Sequence, residues 1–490
     1  MAVVADAFDE LQQRLGPALD ANRPGSGIDH VMVTLPSFSV SESMLSHYGD
    51  RIPSLEHRYL NAVLIVGRIT DCRTIIVLSR LPDPSIIDYY LQLLPAEERA
   101  SARARTTMIE VHDGTHRSSA AKLVDRPDLL AQIRDLVGDR PALIEPWNVT
   151  ENEVALALAL GIPINGSNPR LRWLGFKSEG RRLMRRAGVP VPFGVEDVRT
   201  VDDVVAAIHA IREARPEAPG VVIKHDDSGA GDGNIVLDLE PMASATEPDA
   251  WLREQVEGLP GWYRTDLELG GIVEERIAGD RFTSPSAQVD IRPDGRVIVL
   301  ATHEQVLGGE SGQVYLGCRF PADAAYAPQL AEHAAAIGAE LAREGAIGRF
   351  SVDFVAAADD GAGEWRVHAL EINLRKGGTT HPYAALRNVA PGRYDTGSGR
   401  WITEDGGTRS YSATDNLVDP AWLGLSPAAV IAAVADAGLQ FDPETGTGVV
   451  LHMLSGLAID GRFGLTAIGE TPEEAARMHD ATRATVAALV

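Results

Sequence analysis

Between residues 30 and 165, short runs of branched apolar residues alternate with longer amphipathic stretches, and this alternation constrains the fold more than any other feature of the chain. HVMVTLP (30–36), AVLIVG (62–67), RTIIVLS (73–79) and ALIEPW (142–147) read as strands. SIIDYYLQLLPAEERA (85–100), DRPDLLAQIRDLVG (125–138) and ENEVALALALG (151–161) read as helices. Strands separated by helices pair in parallel through crossovers, so this region is expected to be an α/β unit. The Gly, Pro, Asn and Ser of GIPINGSNP (161–169) predict its end near residue 165.

Beyond that boundary the pattern changes. GFKSEGRRLMRRAGVPVPFG (175–194) predicts a helix stopped at Gly188 and followed by two prolines. VVIKHDDSGAGDGNIVL (221–237) reads as strand, glycine loop, strand. Further strands are expected in GGIVEERIAG (270–279), DRFTSPSAQVDI (280–291), RVIVLATHEQVL (296–307), GRFSVDFVAA (348–357) and EWRVHALEIN (364–373), with a helix over 328–344. Residues 397–416, rich in Gly, Ser and Thr, read as a loop. The remainder predicts a helix, the strand GVVLHML, a turn at AIDGRFG, the strand LTAIG and a final helix.

Composition narrows the function. With 45 basic and 69 acidic residues the net charge is −24, which argues against nucleic acid or an anionic membrane as a general partner. The basic run RRLMRR (181–186) reads as a solvated helix face. No apolar run approaches the roughly 20 residues of a membrane span, and the N-terminus carries acids where a signal peptide carries base. Two cysteines far apart, Cys72 and Cys318, suit a reducing, cytoplasmic compartment.

The middle of the chain concentrates chemistry. Ser228, Gly229, Gly231 and Gly233 lie between two expected strands, where backbone N–H groups can turn toward a phosphate; a tight hairpin fits the same residues. Lys224 ends the strand before that loop, and Lys177 precedes RRLMRR. In GRFSVDFV, Asp353 falls on the face opposite Phe350, Val352 and Phe354; in HALEIN, Glu371 and Asn373 share a face. If these strands are neighbours, two carboxylates and an amide converge. Two ionised carboxylates about 4 Å apart repel by roughly 4 kcal/mol at an effective dielectric near 20, so the pair needs a proton or a cation. An all-oxygen set suits Mg²⁺. Arg375 and Lys376 follow at once, then Gly-Gly and Thr379, Thr380 and His381. HEQVL at 303–307 lacks the second histidine of a zinc protease, and no GxSxG elbow is present.

This ordered set, Lys177, Lys224 with its glycine loop, VEERIAG, Asp353, then Glu371-x-Asn373, resembles the ATP-grasp carboxylate–amine ligases over residues 166–390. LPSFSVSESMLSHYGDRIPSLEHRYL and EPWNVTENEVALALALGIPINGSNP resemble the pre-ATP-grasp domain of the pheganomycin-type peptide-ligase branch, as do EINLRKGGTTHP and the tail GVVLHML…GRFGLTAIGETPEEA. The resemblance implies an α/β pre-ATP-grasp domain (1–165), an ATP-grasp domain (166–400) with central and C-terminal subdomains, and a small C-terminal α/β extension (401–490). It implies that Lys177, Lys224 and the glycine loop hold ATP phosphates, and that Glu274, Glu275 and Ile277 form the adenine hinge. Asp353, Glu371 and Asn373 would ligate Mg²⁺, and Arg375, with Lys376 beside it, would meet the transferred charge. Where the family carries its ribose-binding acid this chain reads Asp280-Arg281. Thr379, Thr380 and His381 would meet the acceptor, a backbone-bonded loop histidine being the other reading of His381. The expected reaction converts a carboxylate to an acyl phosphate and passes it to the amine of an amino acid or peptide, in peptide natural-product biosynthesis. Ligation to another nucleophile, an acyl kinase, and a non-catalytic nucleotide sensor or scaffold are the alternatives. The partners are then small molecules, with no nucleic acid or membrane, and a homodimer is left open.

Overall fold

The computed structural model describes residues 2–40, 42–113, 115–228, 233–308, 314–361 and 364–490. The first sheet has four parallel strands in the order Thr106–Glu110, Cys72–Leu78, His30–Leu35 and Ala142–Pro146. Helices such as Pro127–Val137 and Glu151–Leu160 cover it, the latter opened by a reciprocal cap between Thr150 and Glu153. One expected strand is a helix. AVLIVG forms the helix Ala62–Arg68, with residues 62–67 all buried. An apolar run this short fits a core helix as well as a buried strand, because a helix satisfies its own backbone groups wherever it is placed.

A second, antiparallel sheet runs Gly194–Val195, Gly271–Glu275, Gly220–His225, Asn234–Asp238. Its core, with Val221, Ile223 and Val273, is closed by the helix Val201–Ala214 through Val204, Ile208 and Ile211. The helix Lys177–Arg186 ends as expected, with Gly188 at φ +73° and Val189 N–H bonded back to the Met184 carbonyl.

The third sheet has eleven strands. Arg366–Asn373, Gly348–Ala358, Pro285–Ile291, Val297–Gly308, Val314–Phe320 and Thr408–Val418 follow one another as antiparallel neighbours, and Arg462–Gly469 and Gly448–His452 extend the series. The segment expected as a loop over 397–416 therefore contains strands, Arg400–Thr403 and most of Thr408–Val418. The latter is rich in Ser and Thr and buried on both faces, so polarity there reports hydrogen bonding inside a covered sheet, not exposure to water.

The two ends of the chain share a core. Leu60, Leu64, Tyr89 and Tyr90 from the first part pack with Trp401, Tyr411, Leu451 and Phe463. Tyr89 OH accepts a bond from Leu451 N–H (2.7 Å) and Tyr90 OH donates to the Leu451 carbonyl (3.1 Å). This packing sets the residues around Arg58 against the far end of the large sheet.

Candidate active site

A cavity of about 770 Å³ lies between the second sheet and the large sheet, with Val222, Lys224, Val236, Glu274, Ile277 and Phe282 at one end. Asp353, Glu371, Asn373 and Arg375 line its middle, and Gly377, Gly378 and Thr379 follow. A second cavity of about 790 Å³ meets the first at Glu371, Asn373 and Arg375 and runs toward the first sheet, past Phe38, Trp147 and Asn148.

The carboxylates converge because their strands are neighbours in register. Asp353 pairs directly with Glu371, and Ser351 with Asn373, with a bulge immediately after Asp353. Asp353 accepts hydrogen bonds from Asn373 Nδ2 and Gln305 Nε2, both at 2.9 Å. Burial, then the neighbouring Glu371, push the Asp353 carboxyl up to about 7 against the pull of Arg375 and Lys177. Lys177, buried as the first residue of its helix, holds Glu371 at 2.8 Å and donates to the Ser228 carbonyl at 3.0 Å. This set is all oxygen and amide and short of positive charge, which is the donor chemistry Mg²⁺ takes.

Lys224 is paired with Glu274 at 2.5 Å, and Arg181 reaches the other oxygen of Glu274 at 2.5 Å. The run RRLMRR is thus not solvated throughout: Arg181 is fully buried beneath the site. Glu274, Glu275 and Ile277 all line the first cavity; Glu275 accepts from Phe193 N–H at 2.7 Å. The apolar walls and the two buried lysines suit a nucleotide with its phosphates toward Asp353 and Glu371. Gly233 packs so closely on Ser228 that a Cβ there would lie 2.5 Å from the serine Cβ. Gly229 and Gly231 lie outside the described residues. Asp280 is exposed at the rim, lines neither cavity, and accepts from Asp360 N–H at 2.8 Å.

Arg375 lies over the Trp147 ring, 5.1 Å from its centroid, and lines both cavities. Lys376 lines the second cavity beside it, but its charge is engaged elsewhere. Its ammonium is buried, 2.5 Å from Glu145 and bonded to the Pro146 carbonyl, so it ties the end of the large sheet to the last strand of the first. Burial pushes Lys376 down, and Glu145 opposes that shift.

Thr379 accepts from Gln288 Nε2 (2.7 Å) at the cavity wall, while Thr380 Oγ1 accepts from Gly377 N–H (3.1 Å) and so shapes the turn. Gly378 lies against Tyr315, where a Cβ would be 2.5 Å from the ring. His381 is set behind the wall: it is buried and its Nε2 is 2.8 Å from Asp415 Oδ1, which also lies 2.8 Å from His452 Nε2. Burial pushes His381 down to about 4, against the attraction of Asp415. Sequence reasoning missed Asp415, His452, Arg58, Gln305 and Glu145. Asp415 fell in a segment read as a loop, and the others carry no local pattern.

A family model described as IQCH-like, ATP-grasp matches residues 260–395, and one described as PGM1 C-terminal domain matches residues 429–482. The chain is 30% identical over 464 residues to L-propargylglycine–L-glutamate ligase of Streptantibioticus cattleyicolor, covering 92% of each chain. Among solved structures it is similar to the biotin carboxylase domain of Hydrogenobacter thermophilus 2-oxoglutarate carboxylase, in complex with MgADP, ADP and bicarbonate (TM-score 0.53, 15% identity, 93% of this chain and 89% of that one). It is also similar to the ADP complex of N5-carboxyaminoimidazole ribonucleotide synthetase (TM-score 0.52, 13% identity, 93% and 96%). These two likenesses show the fold.

Proposed function

The chain belongs to the ATP-grasp ligases, ATP- and Mg²⁺-dependent enzymes that join a carboxylate to an amine, and from that premise we propose that its substrates are amino acids or short peptides joined through an amide bond in the making of a peptide natural product. The observation that carries the proposal is the convergence of Asp353, Glu371, Asn373, Lys177 and Arg375 where two cavities meet. A nucleotide in one cavity and a carboxylate in the other would meet beside Arg375. The relative over nearly the whole length is by its name a ligase of two amino acids, which supports that substrate class.

Each residue has a task that follows from its position. A carboxylate is a poor acylating agent because its leaving group is an oxide, so the γ-phosphoryl group must first be moved onto it. Lys224 and Lys177, the two buried lysines of the site, would hold phosphate oxygens for attack by the carboxylate. Asp353, Glu371 and Asn373 would hold Mg²⁺, which when bound would supply positive charge to the phosphates. Arg375, fixed over Trp147, meets the charge that builds on the transferred group and then on the carbonyl oxygen as the amine attacks. The flanking walls keep water from the acyl phosphate. The net charge of −24 and the two free, buried cysteines support a cytoplasmic setting without nucleic acid, and no helix among the described residues is long and apolar enough to cross a membrane.

Release of ADP and phosphate that requires a carboxylate and an amine together, with the amide product seen by mass spectrometry across an amino-acid and dipeptide panel, tests the reading. Production of AMP, or ADP release indifferent to every amine, would overturn it.

A further inference from the structure

Arg58 lines both cavities, although it comes from the first part of the chain, in the short helix His57–Asn61. Its Nε lies 2.9 Å from Asp415 Oδ2, and its two terminal nitrogens have no hydrogen-bond partner among the described residues. Asp415 is engaged through charge and hydrogen bonds: Oδ2 lies in ion-pair range of Arg58 without a hydrogen bond, and Oδ1 faces the Nε2 atoms of both His381 and His452 at 2.8 Å. Arg58, with His381, holds that carboxylate well below the usual range despite its burial. Asp415 Oδ2 is buried, and its charge holds one edge of the guanidinium.

Two further features serve the same end. Met453, which follows His452, has φ +56°, a left-handed conformation that costs a non-glycine residue of order 1–3 kcal/mol, and its sulfur sits 3.3 Å from Arg58 Nε. The turn sets Met453 against Arg58 and, one residue earlier, His452 against Asp415. Arg51 lines the first cavity and stacks 5.8 Å from the Tyr48 ring centroid, with no hydrogen-bond or ion-pair partner among the described residues. Two guanidinium groups with unused donors thus face a cavity in which Arg375 already serves the reacting end. A planar fork held along one edge binds a carboxylate through its remaining N–H groups.

We propose that Arg58 receives a carboxylate that does not react, so that one substrate is an amino acid presenting a second, free carboxylate to the wall opposite the nucleotide. Asp415, His381 and His452 are positioning residues that aim Arg58, and Arg51 adds a second cation. The donor atoms of His381, Asp415 and His452 also lie close enough together to ligate a metal. Arg58 already neutralises that carboxylate, however, and carboxylate recognition accounts for all four residues. The proposal rests on the ligase reading above.

The test is steady-state kinetics of the full chain with ATP, Mg²⁺ and a productive substrate pair. In one arm the non-reacting carboxylate of the donor is replaced by its carboxamide, in the other that of the acceptor. In the unaltered enzyme one arm should lose roughly 100-fold in kcat/KM, and which arm does so assigns the site to donor or acceptor. Arg58→Gln should lose a similar factor with the free acid and little more with the carboxamide, with KM for ATP unchanged. Arg58→Lys, which keeps the charge beside Asp415, guards against misfolding and should recover part of the loss. Equal use of acid and carboxamide in both arms, an equal penalty of Arg58→Gln on both, or one tightly bound metal per chain lost on His452→Ala would overturn the proposal. Absence of ADP release with every carboxylate–amine pair would instead overturn the ligase function itself.

Discussion

Asp353 and Glu371 are direct partners across two neighbouring antiparallel strands, and only Glu371 of the two has a lysine in contact, Lys177 at 2.8 Å. Glu371 is thereby held by a cation the protein supplies, while Asp353 relies on the amides of Asn373 and Gln305. Glu371→Gln keeps the shape and the hydrogen-bonding capacity but removes one charge from the proposed Mg²⁺ site. Turnover should fall by at least about 100-fold while the chain still folds, and the loss of buried Lys177's charged partner should lower the melting temperature, read by a coupled ADP assay and calorimetry. An active variant would remove the metal assignment.

The unpaired member of that relationship sets a pH dependence. Asp353 is pushed up to about 7 in the folded protein from an ordinary value of 3.8. Between those values the folded state holds a proton that the unfolded state has released. Without Mg²⁺, stability should therefore fall as pH rises from about 4 to 7, by up to ~1.4 kcal/mol per pH unit for this one group, and level off above. Asp353→Asn should remove that slope, and Mg²⁺ with nucleotide should raise the melting temperature more at pH 8 than at pH 5.5. Identical pH profiles for the two proteins in denaturant melts would count against the shift and its cause.

Lys376, at the wall of the second cavity, is paired with Glu145. Lys376→Met leaves Glu145 buried without its partner and should cost about 3–5 kcal/mol. Lys376→Met combined with Glu145→Gln should recover much of that loss, because neither charge is then stranded. Urea melts of the two variants decide the matter; a stable but inactive single variant would restore Lys376 to the chemistry.

Removal of residues 401–490 should not yield a folded remainder. Val314–Phe320 pairs with Thr408–Val418, so truncation leaves that strand as an open edge and exposes the shared core of Leu64, Tyr89 and Tyr90. Size-exclusion chromatography should show aggregates, and a monodisperse, cooperatively melting 1–400 fragment would contradict the shared core.

The proposed metal-binding set was legible in the sequence because a period of two places alternate residues on one face, so Asp353, and Glu371 with Asn373, declared their orientation before any pairing was known. Their register was not legible: nothing local says that Asp353 faces Glu371. AVLIVG was misassigned because a short, wholly apolar run carries no period at all. Thr408–Val418 was lost for the opposite reason, its Ser, Thr, Asp and Asn side chains looking like surface while lying inside a covered sheet. Lys376 read as a partner of Arg375 by adjacency alone, and a bend after Asn373 separates them. Arg58 and Asp415 meet only because 357 positions of intervening chain fold back, the difference between 415 and 58, and no short-range pattern can encode such a contact.

The shared core also imposes an order in time. Arg58 is synthesised early, but the residues that aim it, Asp415 and His452, leave the ribosome hundreds of residues later, and the strand pairing that seats them needs Arg462–Gly469 as well. A nascent chain holding everything through Arg375 would carry the residues proposed for nucleotide and metal and yet lack its far wall. The proposed far wall is thus completed only from residues 415–469, and a chain interrupted before them lacks it.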